Sequence, residues 1–441
     1  MREAVADSNV FGTERIGKIL SRIAPPVMLA QLIQALYNII DSYFVGQFSG
    51  SGLTALSVVF PIQFIVTALA VGTGVGVNTQ MSRLYAQGYE EDADRTAGAG
   101  TVLAVFTWAL FAAAAVLIMK PYVAASAKSP EAIAYAITYG DIVCVGSLGM
   151  FLESVWTKVH QAGGNMRLPM LAQIAGAVTN IILDPLLIWG WGAIPKMGIA
   201  GAAVATILGQ VVAAAITGVT GFRRPPKWKA LLRYAGPVYL LGYPYMMMQA
   251  LATVYIVVLN VILAGFSDEA VTVLGLYYKM QTFFFIPLFG LQTCIVPLLS
   301  YNYARSNYSR CRRVMRDSVV TALGFMLVGV LCFAFIPGAL IGIFSRDAVV
   351  LEIGKSAFRI IGLSFPSAVL SLMMPVFFQA IGAARPSILL AVTRQVFCLI
   401  PVFWLLSRLG MQYTWLAFPV AETVTGALGT ILYFRQIRAW Y

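Results

Sequence analysis

Two aspartates stand where charge is least welcome. Asp41 lies 17 residues past Ala24 in the apolar run 23–46, and Asp184 lies 16 residues past Leu168 in the run 168–189. An ionisable side chain inside an apolar span costs at least about 2–3 kcal/mol, so each is a functional candidate. Read as helices rising 1.5 Å per residue, both acids sit roughly 25 Å from the start of their runs, at matched depth. Gln34, Tyr37, Asn38 and Asp41 follow an i, i+3, i+4, i+7 spacing that makes one polar stripe, and Gln173, Asn180 and Asp184 share a face in the same way. Two such stripes turned toward each other would form a hydrated pocket. Desolvation and mutual repulsion both favour the neutral carboxyl, so the pair could take up a proton near neutral pH. Alternatively, Asp41, Asp184 and the amide oxygen of Asn180 could hold a sodium ion, with Asn38 and Thr206 as further oxygen donors. A third reading makes the acids hydrogen-bonded glue between helices.

Other polar residues within apolar runs are weaker signals. Glu153, Thr157 and His160 form a stripe that could relay protons, although Lys158 beside His160 favours an interfacial role at a helix end. Lys279 could line a cavity or snorkel to the surface. Arg394 and Glu422 could pair with each other as a structural element. A tolerant binding surface is suggested by Tyr37, Tyr139, Met246, Gln249 and Phe283, together with Gln34, Gln173 and Lys279, because methionines and aromatic rings suit flat, greasy cations. Gly72, Gly74 and Gly76 allow close helix approach and do not form a nucleotide loop. The five cysteines (Cys144, Cys294, Cys311, Cys332, Cys398) are scattered, with neither a disulfide framework nor a metal spacing. No structural metal and no cofactor is expected.

The elements that must position these groups are membrane helices. The chain of 441 residues is 59% hydrophobic and 11% charged, with a mean hydropathy of +0.81, beyond what a soluble domain of this length shows. Runs of roughly 20 apolar residues suffice to cross a hydrocarbon core. Twelve are predicted, at about 23–46, 53–79, 97–119, 132–160, 168–189, 198–221, 237–265, 270–297, 317–344, 356–380, 387–407 and 412–434. No barrel alternation is visible, so the fold class is all-α membrane. The first run reads as a span and not as a cleavable leader.

Basic residues set the expected orientation. Arg2, Arg15, Arg83, Arg95, Arg167, the cluster from Arg223 to Arg233, the cluster from Arg305 to Arg316, Arg385, Arg435 and Arg438 fall on one side. The other side holds Lys120, Lys128, Lys196, Arg346, Lys355, Arg359 and Arg408. Both termini are therefore expected in the cytoplasm, with the protein multi-pass in the membrane. The net charge of +12 reflects this bias and does not imply nucleic acid binding. Residues 222–236 read as a basic linker on anionic headgroups, with Trp228 at the interface.

An internal repeat organises the spans. Gln161-Ala162-Gly163-Gly164 returns as Gln379-Ala380-Ile381-Gly382, 218 positions on. The same offset pairs Pro26 with Pro244, Gln31 with Gln249, Tyr37 with Tyr255 and Ser82 with Ser300. Six plus six spans with equal orientation predict two bundles, 23–221 and 237–434, about a pseudo-twofold axis along the membrane normal. The acids do not repeat: Asp41 maps to Leu259 and Asp184 to Val402, so ion handling is expected in the first half only.

Asp41-Ser42-Tyr43-Phe44-Val45-Gly46, Leu53-Thr54-Ala55-Leu56-Ser57 with Pro61, both Gln-Ala-x-Gly phrases and Asn180-x-x-x-Asp184-Pro185 together resemble the multidrug and toxic compound extrusion (MATE) family. Within it the chain is similar to DinF-like and MepA-like bacterial members, in which acids at the positions of Asp41 and Asp184 are implicated in cation coupling. It lacks the span-7 glutamate and span-10 aspartate of NorM-like members. The resemblance implies a monomer of two bundles around a cavity that alternates its access, exporting amphipathic, often cationic drugs against proton or sodium entry. A lipid-linked saccharide flippase of the same superfamily is the runner-up, with a more cationic cavity expected. An intramembrane aspartyl protease would need Gly-x-Gly-Asp, whereas Ile181-Ile182-Leu183 precede Asp184. No enzyme activity is expected.

Overall fold

The computed structural model describes residues 10–126, 129–192, 194–345 and 347–440; Arg2, Lys128 and Arg346 of the charge pattern lie outside them. The described residues are almost wholly helical, with one isolated bridge between Trp191 and Ile194. In the first half run α1 (Ile16–Phe48), α2 (Gly50–Gln87), α3 (Glu90–Ser126), α4 (Pro130–Gly146), α5 (Leu148–Ala162), α6 (Arg167–Trp189) and α7 (Ile199–Gly221). The second half holds α8 (Trp228–Ala264), α9 (Asp268–Phe284), α10 (Ile286–Ala304), α11 (Tyr308–Phe335), α12 (Pro337–Gly342), α13 (Ala348–Gly362) and α14 (Phe365–Ala380). It continues through α15 (Ala384–Val392), the π-helical α16 (Thr393–Leu399), α17 (Ile400–Ser407), α18 (Met411–Thr414) and α19 (Ala417–Arg438).

Nine helical spans among the described residues are long and apolar enough to cross a membrane, and three bent pairs bring the number to twelve. The expected spans 132–160, 270–297 and 356–380 are thus broken, by 42°, 53° and 56°. Local chemistry explains each bend. At Gly146-Ser147 the Ser147 hydroxyl donates to the Cys144 carbonyl at 2.7 Å, and Ser364 donates likewise to Ile361 at 2.6 Å. Pro287 and Pro366, each at the start of the following helix, withhold a backbone donor.

The repeat is written into backbone geometry. Gly164 (φ 87°) and Gly382 (φ 75°) both end a span in the left-handed region. In each turn the next residue's N–H reaches back to close the helix, Asn165 to His160 at 3.0 Å and Ala383 to Phe378 at 2.8 Å. A second pair, Gly88 (φ 81°) and Ser306 (φ 56°), ends α2 and α10 in the same way. A side chain at left-handed φ is strained, so Ser306→Gly is expected to stabilise the protein by about 0.5–1 kcal/mol, read as a rise in unfolding temperature. Gly88→Ser should do the reverse.

By contact the chain forms two compact units: Met1–Thr13, as far as described, with Pro25–Met246, and Glu14–Ala24 with Met247–Tyr441. Within the first unit, α6 and α7 approach through glycines. A Cβ on Gly176 would lie 2.7 Å from the Gly209 carbonyl oxygen, and one on Gly209 would lie 2.6 Å from that of Gly176. Small residues on both helices permit this spacing. The start of α8 is pinned to the same unit, where Tyr234 donates to Asp92 at 2.8 Å and Tyr239 pairs with Thr107 at 2.7 Å. Arg223 meets Asp94 at 3.0 Å, so the basic segment is anchored on α3, and Trp228 beyond it is exposed.

Candidate functional site

The acids of α1 and α6 meet inside the first unit. Asp41 and Asp184 are buried, and their carboxyl groups lie against each other. Asp41 Oδ1 is sealed from solvent without a hydrogen-bond partner. The glycine contact between α6 and α7 brings Asn180 up to Thr206, with the amide nitrogen 3.4 Å from the Thr206 hydroxyl and 3.4 Å from Asp184 Oδ1. The opposite amide orientation satisfies both ends: nitrogen to Asp184 Oδ2 at 3.2 Å, and oxygen to the Thr206 N–H at 3.2 Å. Two tyrosines complete the wall. Tyr37 lies one turn below Asp41 and close to both carboxyls, and Tyr139 of α4 approaches Asp41, Tyr37 and Thr206.

Sequence reasoning missed Gln63, whose Nε2 donates to the Tyr139 hydroxyl at 3.3 Å. The signal was present as an amide two residues after Pro61 within an apolar run. Oxygen donors from four helices and an unpartnered carboxylate oxygen fit either a shared proton or a monovalent cation. No group of three or more histidine, cysteine and acidic residues suited to a metal occurs among the described residues.

Several expected members stand elsewhere. Asn38 is exposed, because three residues leave it about a sixth of a turn away from Asp41, and its backbone carbonyl accepts from the Ser42 hydroxyl at 2.9 Å. Gln34, two turns below Asp41, is exposed as well. Gln173 shares the face of Asn180 but lies beside Glu153, away from the aspartates. Met246 packs on the backbone of α2, where a Cβ on Gly72 would sit 2.3 Å from its Cγ.

In the second unit, Gln249 accepts from Thr253 through its carbonyl, Phe283 is partly buried, and the exposed Lys279 places Nζ 5.6 Å from the Phe344 ring centre. His160 pairs its Nε2 with the Thr217 carbonyl at 3.0 Å, in keeping with a helix-end role. Arg394 and Glu422 do pair, through contacts of 2.6, 2.9 and 3.1 Å, and Ser371 also donates to Glu422.

A chain whose described residues are almost wholly helical, with up to twelve spans repeated six plus six and an acid pair buried inside one unit, fits a multi-pass membrane transporter. Comparison with known proteins makes this specific. The MatE family profile matches residues 26–186 and again 244–405, its two copies starting 218 positions apart. The chain belongs to the multidrug and toxic compound extrusion family. It is 25% identical to the "FAD transporter" of Shewanella oneidensis over 93% of both chains. It is 24% identical to the multidrug export protein MepA of Staphylococcus saprophyticus, covering 97% of this chain and 95% of that one. A probable multidrug resistance protein NorM of Thermotoga maritima is 27% identical over 79% of this chain and 76% of its own. Among solved structures, an outward-facing MATE transporter superposes with a TM-score of 0.91 at 21% identity over 98% of each chain. A transporter of the MOP superfamily from Pyrococcus furiosus gives 0.90, also at 21% identity and 98% coverage of both.

Proposed function

We propose that this transporter exports amphipathic, often cationic compounds in exchange for a proton or sodium ion bound at Asp41 and Asp184, by alternating access. The observation that carries the reading is the buried, unpartnered Asp41 oxygen against the Asp184 carboxyl, with Asn180 and Thr206 alongside. A carboxyl pair of this kind holds one charge too many unless a cation joins it. Coupling then requires only that ion and drug favour different states of the first unit. Both termini are assigned to the cytoplasm from the distribution of basic residues. One chain is sufficient for the cycle.

The test is ethidium transport in proteoliposomes under a proton gradient alone and a sodium gradient alone, with FAD as a second cargo because of the Shewanella relative's name. Transport that follows one gradient identifies the ion. Silence under both, with folded protein, points to a lipid-linked cargo instead. Leu259→Asn, at the second-unit counterpart of Asp41, is expected to leave the ion requirement unchanged. An altered requirement would overturn the restriction of coupling to the first unit.

A further inference from the structure

The two units differ instructively at another membrane-embedded carboxylate. In the first, Glu153 of α5 is partly exposed, accepts from Thr157 Oγ1 at 2.7 Å and has Gln173 of α6 beside it. In the second, Glu422 of α19 is buried and takes a hydrogen bond from the Ser371 hydroxyl. Ser371 stands 218 positions after Glu153, at its counterpart in the repeat. The two carboxyl groups therefore occupy corresponding places, one reached from the fourth span and the other from the last.

What differs is how the neighbouring cation is held. Arg394 forks onto Glu422, with Nη2 at 2.6 Å and Nε at 2.9 and 3.1 Å from its oxygens. The first-unit counterpart of Arg394 is Gly176, where a Cβ would already lie 2.7 Å from the Gly209 carbonyl oxygen. Span 5 thus has no room for a tethered cation at that position. Around Glu153 stand the Thr157 hydroxyl, the Gln173 amide and the Lys158 ammonium, whose charge acts on the carboxyl while its Nζ donates to Gln161 Oε1 at 2.8 Å. Around Glu422 stand Arg394, Ser371 and the tyrosines Tyr255 and Tyr277.

We propose that Glu153 is a second exchangeable cation site of the first unit, binding a proton or sodium ion where Arg394 is bonded directly to the carboxyl in the second. Glu153 is partly exposed, whereas the Arg394–Glu422 pair is buried. Gln173 precedes Asn180 by two helical turns, about 10 Å, so the site forms an inner station below the aspartate pair on the same helix. The proposal adds a site to the reading above, and its test removes the aspartate pair first.

The experiment uses full-length protein carrying Asp41→Asn and Asp184→Asn, with and without Glu153→Gln. Infrared difference spectra across a pH series without sodium report protonated carboxyls. Unfolding temperature across a sodium series at fixed alkaline pH reports the metal ion. Glu153→Gln is expected to remove one carboxyl component or to abolish the sodium-dependent shift, and the affected arm names the cation. Identical spectra and identical sodium responses with and without Glu153→Gln would overturn the proposal. As a reciprocal check, Arg394→Gln should add a titrating component that Glu422→Gln removes, and a folded Arg394→Gln protein without it would also count against the proposal. Should that variant not fold, the Glu153 comparison decides alone. Failure of the aspartate assignment would appear separately, as gradient-driven transport retained by the Asp41 or Asp184 variant.

Discussion

Asp184→Asn is expected to lower gradient-driven export roughly 5–150-fold, the range of ordinary coupling free energies, while leaving insertion and folding intact. Asparagine preserves the volume of the side chain and its contact with Asn180 but removes the second negative charge from beside Asp41. An ion can shift the conformational equilibrium only by its differential affinity for the two states. With one carboxylate gone, that difference collapses, and transport should fall toward the gradient-independent leak. Asp41→Asn should behave alike, because its carboxyl lies against the same partner. The double variant should be no worse than either single one, since the two acids act as one binding unit. Initial rates in proteoliposomes under an imposed gradient give the comparison, with far-ultraviolet circular dichroism as the folding control. Full gradient-driven transport in both single variants would remove the acids from the coupling mechanism.

The second large effect concerns stability. Arg394→Met leaves Glu422 buried and uncompensated, and loss of one partner from a buried ion pair costs about 3–5 kcal/mol. For a unit of this size that is a fall of roughly 6–20 °C in unfolding temperature. Replacing both residues, Arg394→Met with Glu422→Leu, should recover most of the loss, because no charge then remains to be desolvated. A single variant as stable as the parent would mean that water reaches Glu422, against its burial beside α14 and α16.

Much of this molecule was legible in the residues alone. Twelve apolar runs named the spans, because a hydrocarbon core demands a minimum length of self-bonded helix and tolerates little charge. The shift of 218 positions was visible because the same left-handed turns needed Gly164 and Gly382, and the same close approaches needed the same residue types. It recurs even where the chemistry has changed: Gly74 packs on the Ser154 carbonyl, and at the corresponding place Gln292 donates to the Leu372 carbonyl at 2.8 Å. The pairing of Asp41 with Asp184 followed from matched depth on two polar helix faces.

Other features waited for the tertiary structure. A stripe four residues wide cannot say which member faces the neighbouring helix, and small rotations separated Tyr37, which joins the acids, from Asn38, which does not. Gln173 shares a helix face with Asn180, yet two turns of rise carry it to Glu153. The bends at Ser147, Phe285 and Ser364 split runs whose hydropathy reads as continuous, since hydropathy records solvent preference and not backbone direction. Sequence thus determined which segments enter the membrane and which charges they carry, because transfer free energy is a property of each residue. Which charges meet was decided by helix rotation and glycine-mediated approach, because those depend on pairs of residues far apart in the chain.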